Sequence, residues 1–127
     1  MERVRGIGGI FFKAQDPAAL GRWYRDHLGV ELERWGGAKF KWRDHDGNGD
    51  GLTVWSPFAA DTTYFAPSTA SFMINFRVDD LDAMLAQLRA AGAAVEDKVV
   101  DDATGKFGYV MDPEGNRVEL WQPPPAK

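Results

Sequence analysis

The sequence predicts an α+β fold: two βαβββ units form curved mixed sheets around a concave cup, with one helix on the convex face of each. Three observations carry this. The two halves repeat: residues 13–28 lie over 77–92, so that Asp16 falls on Asp80, Leu20 on Met84 and Tyr24 on Leu88. Residues 52–57 (LTVWSP) likewise lie over 118–123 (VELWQP), with both tryptophans and both prolines coinciding. Self-similarity on this scale marks a duplicated supersecondary unit. Each half also holds one helical pattern opened by aspartate, at Asp16 and at Asp79 or Asp80. Finally, residues 109–121 (YVMDPEGNRVELW) read as strand, turn, strand: Pro113 presets φ for a turn, and Gly115 and Asn116 accept positive φ.

The elements follow in order. Residues 7–14 alternate as a strand, with Ile10 and Phe12 on one face and Gly9, Phe11 and Lys13 on the other. Asp16 caps a helix whose first turn accepts Pro17, and Leu20, Trp23, Tyr24 and Leu28 recur at helical spacing until Gly29. Residues 30–35 read as a strand, 38–43 as another with Phe40 and Trp42 on one face, and 52–55 as a third. Between them, residues 44–51 are rich in aspartate and glycine. Their start resembles a calcium loop, but the twelfth position is Trp55 instead of glutamate, which favours a plain hairpin turn. Residues 56–70 lack a period and read as a connector. Residues 72–78 alternate, with Phe72, Ile74, Phe76 and Val78 facing one way and Met73, Asn75 and Arg77 the other. Leu81, Met84, Leu85 and Leu88 stripe the second helix, Gly92 ends it, and 95–100 reads as a strand leading to 106–111. The whole is a single domain over residues 1–127, with units at about 5–57 and 70–123 joined by a connector at 58–69.

Composition narrows the function. The chain has no cysteine, so disulfides, thiolate nucleophiles and cysteine-bound metals are excluded, and a reducing, cytoplasmic setting is expected. A net charge of −4 argues against a nucleic-acid partner, and no apolar run is long enough to span a membrane. Free sheet edges and apolar strand faces predict a homodimer, with Phe58, Tyr64 and Phe65 of the connector as candidate contacts.

The βαβββ duplication, the Trp23-Tyr24…Leu28-Gly29 helix end, the Val78-Asp79-Asp80 helix start and the Asp112-Pro-Glu-Gly-Asn…Glu119-Leu120 ending resemble the vicinal oxygen chelate superfamily, which includes glyoxalase I, extradiol dioxygenases and bleomycin-resistance proteins. The resemblance implies one divalent metal in the cup, with ligands from the first and last strand of each unit. Carried onto this chain, those positions fall on Gly9, Thr53, Met73 and Glu119. Only Glu119 is an ordinary ligand. Glycine has no donor, threonine is a poor one and a thioether suits soft ions. No metal or other cofactor is therefore expected. Neither histidine repairs the set, since His27 lies within the first helix and His45 in the acidic turn.

Strand parity and the repeat send Phe11, Lys13, Thr53 and Trp55 into the cup from the first unit, and Met73, Asn75, Arg77, Glu119 and Trp121 from the second. Phe40, Trp42, Phe107 and Tyr109 are further candidates. These residues predict a small-molecule ligand with an anionic or strongly polar group and an aromatic or acyl body, Glu119 lying close to Lys13 or Arg77. The first reading is a metal-free binding protein of the bleomycin-resistance type. The alternative is a glyoxalase-like lyase or isomerase with Glu119 as general base. A third is an interaction domain whose cup is filled by its own side chains.

Overall fold

Hydrogen-bonding strands in this chain find partners across the two halves and so join them into one sheet. The computed structural model describes residues 1–43 and 51–125. The calcium-loop resemblance and His45 lie outside the described residues. In chain order the elements are β1 (Gly6–Ala14), α1 (Pro17–Leu28), β2 (Ala38–Lys41), β3 (Leu52–Ala59), β4 (Phe72–Arg77), α2 (Leu81–Ala90), β5 (Ala94–Val95), β6 (Val100–Asp102), β7 (Gly105–Met111) and β8 (Arg117–Gln122). The sheet runs β2-β3-β1-β4-β8-β7-β5, with β6 also on β7. Within each unit the first strand pairs parallel with the last, β1 with β3 and β4 with β8. The units meet through antiparallel β1 and β4.

Both helices start as their sequences dictate. The carboxylates of Asp16 and Asp80 each accept from the backbone N–H three residues on, Ala19 and Ala83, at 3.0 Å. That satisfies one of the otherwise unpaired donors of the first turn. The two helices bury their faces unequally. Leu81, Met84 and Leu85 of α2 pack with Val78 and Leu120 into a sealed core, flanked by Phe76, Val95, Val110 and Val118. In α1 only Gly21 is buried, while Trp23 and Leu28 stay mostly exposed. Tyr24 carries the packing of α1, its ring 4.7 Å from that of Trp55.

Three segments differ from their expected form. Residues 30–35 make no strand. The segment bonds to itself, Glu33 N–H to Gly37 O at 2.8 Å and Gly36 N–H to Glu33 O at 3.0 Å, so no ladder accepts it. The strand expected over 95–100 is split into β5 and β6, because Glu96 turns aside to meet Arg117. And β3 runs on to Ala59, pairing Ser56 to Ala59 with β1, so part of the expected connector belongs to the sheet. No helix among the described residues is long and apolar enough to cross a membrane.

Candidate functional site: a cleft floored by Asn75 and Glu119

The turn at residues 112–116 sets the register that builds the site. Asp112 Oδ1 accepts from the N–H groups of Glu114 and Asn116, both at 2.9 Å, and Gly115 supplies the positive φ, 81°, that closes the turn. Met111 is thereby placed opposite Arg117, and Tyr109 opposite Glu119. The next pairings carry one row across the sheet: Glu119 beside Asn75, Asn75 beside Gly9, Gly9 beside Val54 and Val54 beside Lys39. Next to this row opens a cleft of about 310 Å³, within the range of small-ligand pockets. Its walls are the rings of Phe11, Phe107 and Trp121 with Leu52 and Val54. Its floor is Gly8, Asn75 and Glu119, and Lys39 and Thr104 complete the rim. Phe107 and Trp121 lie nearly parallel, centroids 6.3 Å apart, and the Trp121 indole N–H is held by the Thr104 carbonyl at 2.9 Å.

Glu119 is 2% exposed and belongs to no ion pair among the described residues. Hydrogen bonds engage both of its oxygens instead. Asn75 Nδ2 donates to Oε1 at 2.6 Å, and the Tyr64 hydroxyl donates to Oε2. Tyr64 and Tyr109 hydroxyls are 2.9 Å apart. The single Tyr64 proton is given to the carboxylate, so Tyr109 is the donor to Tyr64. Burial, and then the Glu119 charge, push the Tyr64 phenol far above its ordinary value. Burial likewise pushes Tyr109 up to about 12. Both rings thus hold their protons and form a donor chain ending on Glu119.

Arg117 fixes this chain from behind. It is 6% exposed and pairs with both oxygens of Glu96, at 2.8 and 2.7 Å. It also donates to the Tyr64 carbonyl at 2.6 Å and lies 3.8 Å over the Tyr109 ring. Hydrogen bonding to Arg117 holds the Glu96 carboxyl below its ordinary value.

The structure brings Phe11, Asn75, Glu119 and Trp121 together, and adds Phe107 and, behind Glu119, Tyr109. It does not bring the other expected residues to the cleft. The Thr53 hydroxyl donates to the Ile7 carbonyl at 2.6 Å and accepts from the Trp42 indole at 2.9 Å. Trp55 packs on Phe12 and Tyr24 under α1. Met73 is wholly buried away from the lining. Lys13 sits 5.9 Å over the Phe65 ring, and Arg77 lines a separate cleft with Asp79, Gln122 and residues 123–125. The ion pair of Glu119 with Lys13 or Arg77 is therefore not formed. Phe40 and Trp42 are not in the lining either. Sequence reasoning missed Gly8, Lys39, Leu52, Val54, Thr104 and above all Tyr64, which it had assigned to a subunit contact. Tyr64 instead turns inward, with Phe58 stacked on it at 5.6 Å and Phe65 fully buried.

The positions that the resemblance assigns do not suit a divalent metal. Gly9 has no donor, the Thr53 hydroxyl is engaged by Ile7 and Trp42, Met73 is buried off the lining, and both Glu119 oxygens already accept protein donors. No cluster of three His, Cys, Asp or Glu able to hold a metal occurs among the described residues. His27 stacks on Trp23 in α1, 5.0 Å away.

A duplicated βαβββ sheet bent around such a cleft is the fold of the glyoxalase/bleomycin resistance/dioxygenase superfamily. A family model described as a glyoxalase-like domain matches residues 9–121, and the chain belongs to that family. Among solved structures, methylmalonyl-CoA epimerase from Mycobacterium tuberculosis is similar with a TM-score of 0.67 and 21% identity, covering 96% of this chain and 90% of that one. A variant of Streptomyces coelicolor methylmalonyl-CoA epimerase in complex with 2-nitronate-propionyl-CoA gives 0.70 and 19%, covering 97% and 100%. A superfamily member from Vibrio splendidus 12B01 gives 0.57 and 15%, covering 96% and 99%. At these identities the likeness is one of fold. Comparison with curated proteins gives no match.

Proposed function

We propose that this protein binds a small, flat, partly apolar molecule in the cleft, without the divalent metal of the superfamily's enzymes. The observation that carries the reading is the cleft itself: aromatic walls over a polar floor whose one carboxylate is engaged by Asn75 and Tyr64. Apolar walls with a few convergent polar groups are how metabolite pockets combine affinity with orientation. The test is a thermal-shift screen of a metabolite library on wild type and on Trp121→Ala. Hits that stabilise wild type and not the variant support the reading; hits unaffected by the substitution refute it. Elemental analysis of the same protein should find no stoichiometric nickel, zinc, iron or manganese. About one such ion per chain, lost in Glu119→Ala, would reverse the metal-free assignment.

The position of Glu119 on the cleft floor favours one second reading, an isomerase or lyase using it as base. Two of the similar folds are epimerases of a CoA ester. In that reading Glu119 takes the proton from the carbon next to a carbonyl and returns it. Tyr64 must then leave Oε2 first, since both carboxylate oxygens otherwise accept protein donors. Deuterium appearing at C2 of methylmalonyl-CoA in heavy water, and not with Glu119→Gln, would establish it. We also propose a homodimer, because Ile10 and Phe72 on the central strands are each 40% exposed.

A further inference from the structure

We infer that the ligand is an amphipathic oxyanion: a flat apolar body held against the aromatic walls, with a single carboxylate, sulfonate or phosphate turned outward to the Lys39 ammonium; this rests on the cleft being a binding site. The inference follows from which polar groups of the lining are already spent. Asn75 gives Nδ2 to Glu119, and its Oδ1 is closed off from solvent. Both Glu119 oxygens accept protein donors, and the residue is buried. The Trp121 indole N–H is held by the Thr104 carbonyl. Thr104 in turn gives its backbone N–H and its hydroxyl to Asp102 Oδ1, at 2.8 and 2.5 Å. Of the polar side chains in the lining, only Lys39 makes no hydrogen bond or ion pair among the described residues, so its ammonium keeps its donors for a ligand.

Sheet register places this lysine. Lys39 lies directly opposite Val54 on the edge strand β2, and Val54 lines the cleft. Opposed residues of an antiparallel pair share a face. Lys41, opposite Leu52, falls on that same face. Both lysines are exposed. The β2 side of the cleft is therefore cationic, while the floor has no free group to meet a ligand's charge. Lys13 and Arg77, the cations expected from the sequence, lie off the lining. A ligand polar along its whole length would bury groups with no partner, each at a cost. A cationic ligand would meet Lys39 as a like charge. A molecule whose polarity is gathered at one anionic end avoids both penalties.

A charge series on one ring system tests this: 2-naphthoate, neutral 2-naphthamide and cationic 2-naphthylmethylamine, titrated into ¹⁵N-labelled protein and followed at the Trp121 indole signal. Affinity should fall in that order at low salt, the naphthoate binding about three- to fivefold more tightly than the amide, as suits a partly exposed ion pair. High salt should erase the difference. Lys39→Met keeps an apolar stem and should bind naphthoate and naphthamide alike. Lys39→Glu should reverse the order, with the amine binding best. Equal binding of all the probes by wild type overturns the inference and leaves the cleft a binding site, Lys39 then being a charge that only guards a sheet edge. An order unchanged in both variants also overturns it. Absence of any shift at Trp121, with every probe, removes the binding-site reading and the inference together.

Discussion

Glu119 is a buried carboxylate held by hydrogen-bond donors and by no ion pair among the described residues, with Asn75 on one oxygen and Tyr64 on the other. A buried polar group needs partners, and here they are the Asn75 amide and the tyrosine chain. Tyr64→Phe removes one donor and should destabilise the fold by about 1–2 kcal/mol, read by urea denaturation. The same tyrosines predict a pH dependence. Tyr109 rises from 10.0 in its ordinary state to about 12 in the fold, and Tyr64 rises further. A raised acid contributes its stability fully below the unfolded value and loses it as pH climbs through the folded one, because unfolding then releases a proton. Stability should therefore fall from about pH 10 upward, and less steeply in a Tyr64→Phe/Tyr109→Phe double variant. An unchanged slope in the variant would place the titration elsewhere.

At the scale of elements, the legibility of the site turns on one residue of register. Aligning the units on their tryptophans and prolines puts Thr53 on Glu119. In the sheet, however, it is Val54 that pairs with Gly9, as Glu119 pairs with Asn75. A slip of one reverses every side chain of a strand. That is why Leu52 and Val54 line the cleft and Thr53 and Trp55 do not. Glu119, Trp121, Asn75 and Phe11 were legible because strand parity alone places them. Tyr64 was not, since residues 60–71 have no period to show which way a side chain turns. What holds that segment inward is Arg117, through the Tyr64 carbonyl and the Tyr109 ring. Arg117→Ala should cost about 2–3 kcal/mol, below the range for a fully buried pair because the Glu96 side chain is 25% exposed. It should also release the segment, seen as faster amide hydrogen exchange over residues 60–68.

For the whole molecule, the duplicated architecture, both helix starts and the final hairpin could be read from the chain, because each rests on local chemistry: an aspartate cap, a Pro-Glu-Gly-Asn turn, alternating strands. The unequal depth of the two units could not, since it depends on how far α1 packs onto the sheet. The first unit leaves Trp23, Leu28 and Trp35 more than half exposed, while the second seals Leu81, Met84 and Leu85. A homodimer covering the exposed Ile10 and Phe72 should give twice the 14.1 kDa chain mass by light scattering at micromolar concentration. A monomer mass there would contradict it. The central claim, that the cleft is a small-molecule site, is tested most directly by the five tryptophan indole N–H signals. Any compound that raises the melting temperature should shift the Trp121 indole and leave Trp23 and Trp35, on the outside, unmoved. Stabilising compounds that shift Trp23 or Trp35 while Trp121 stays fixed would contradict the account.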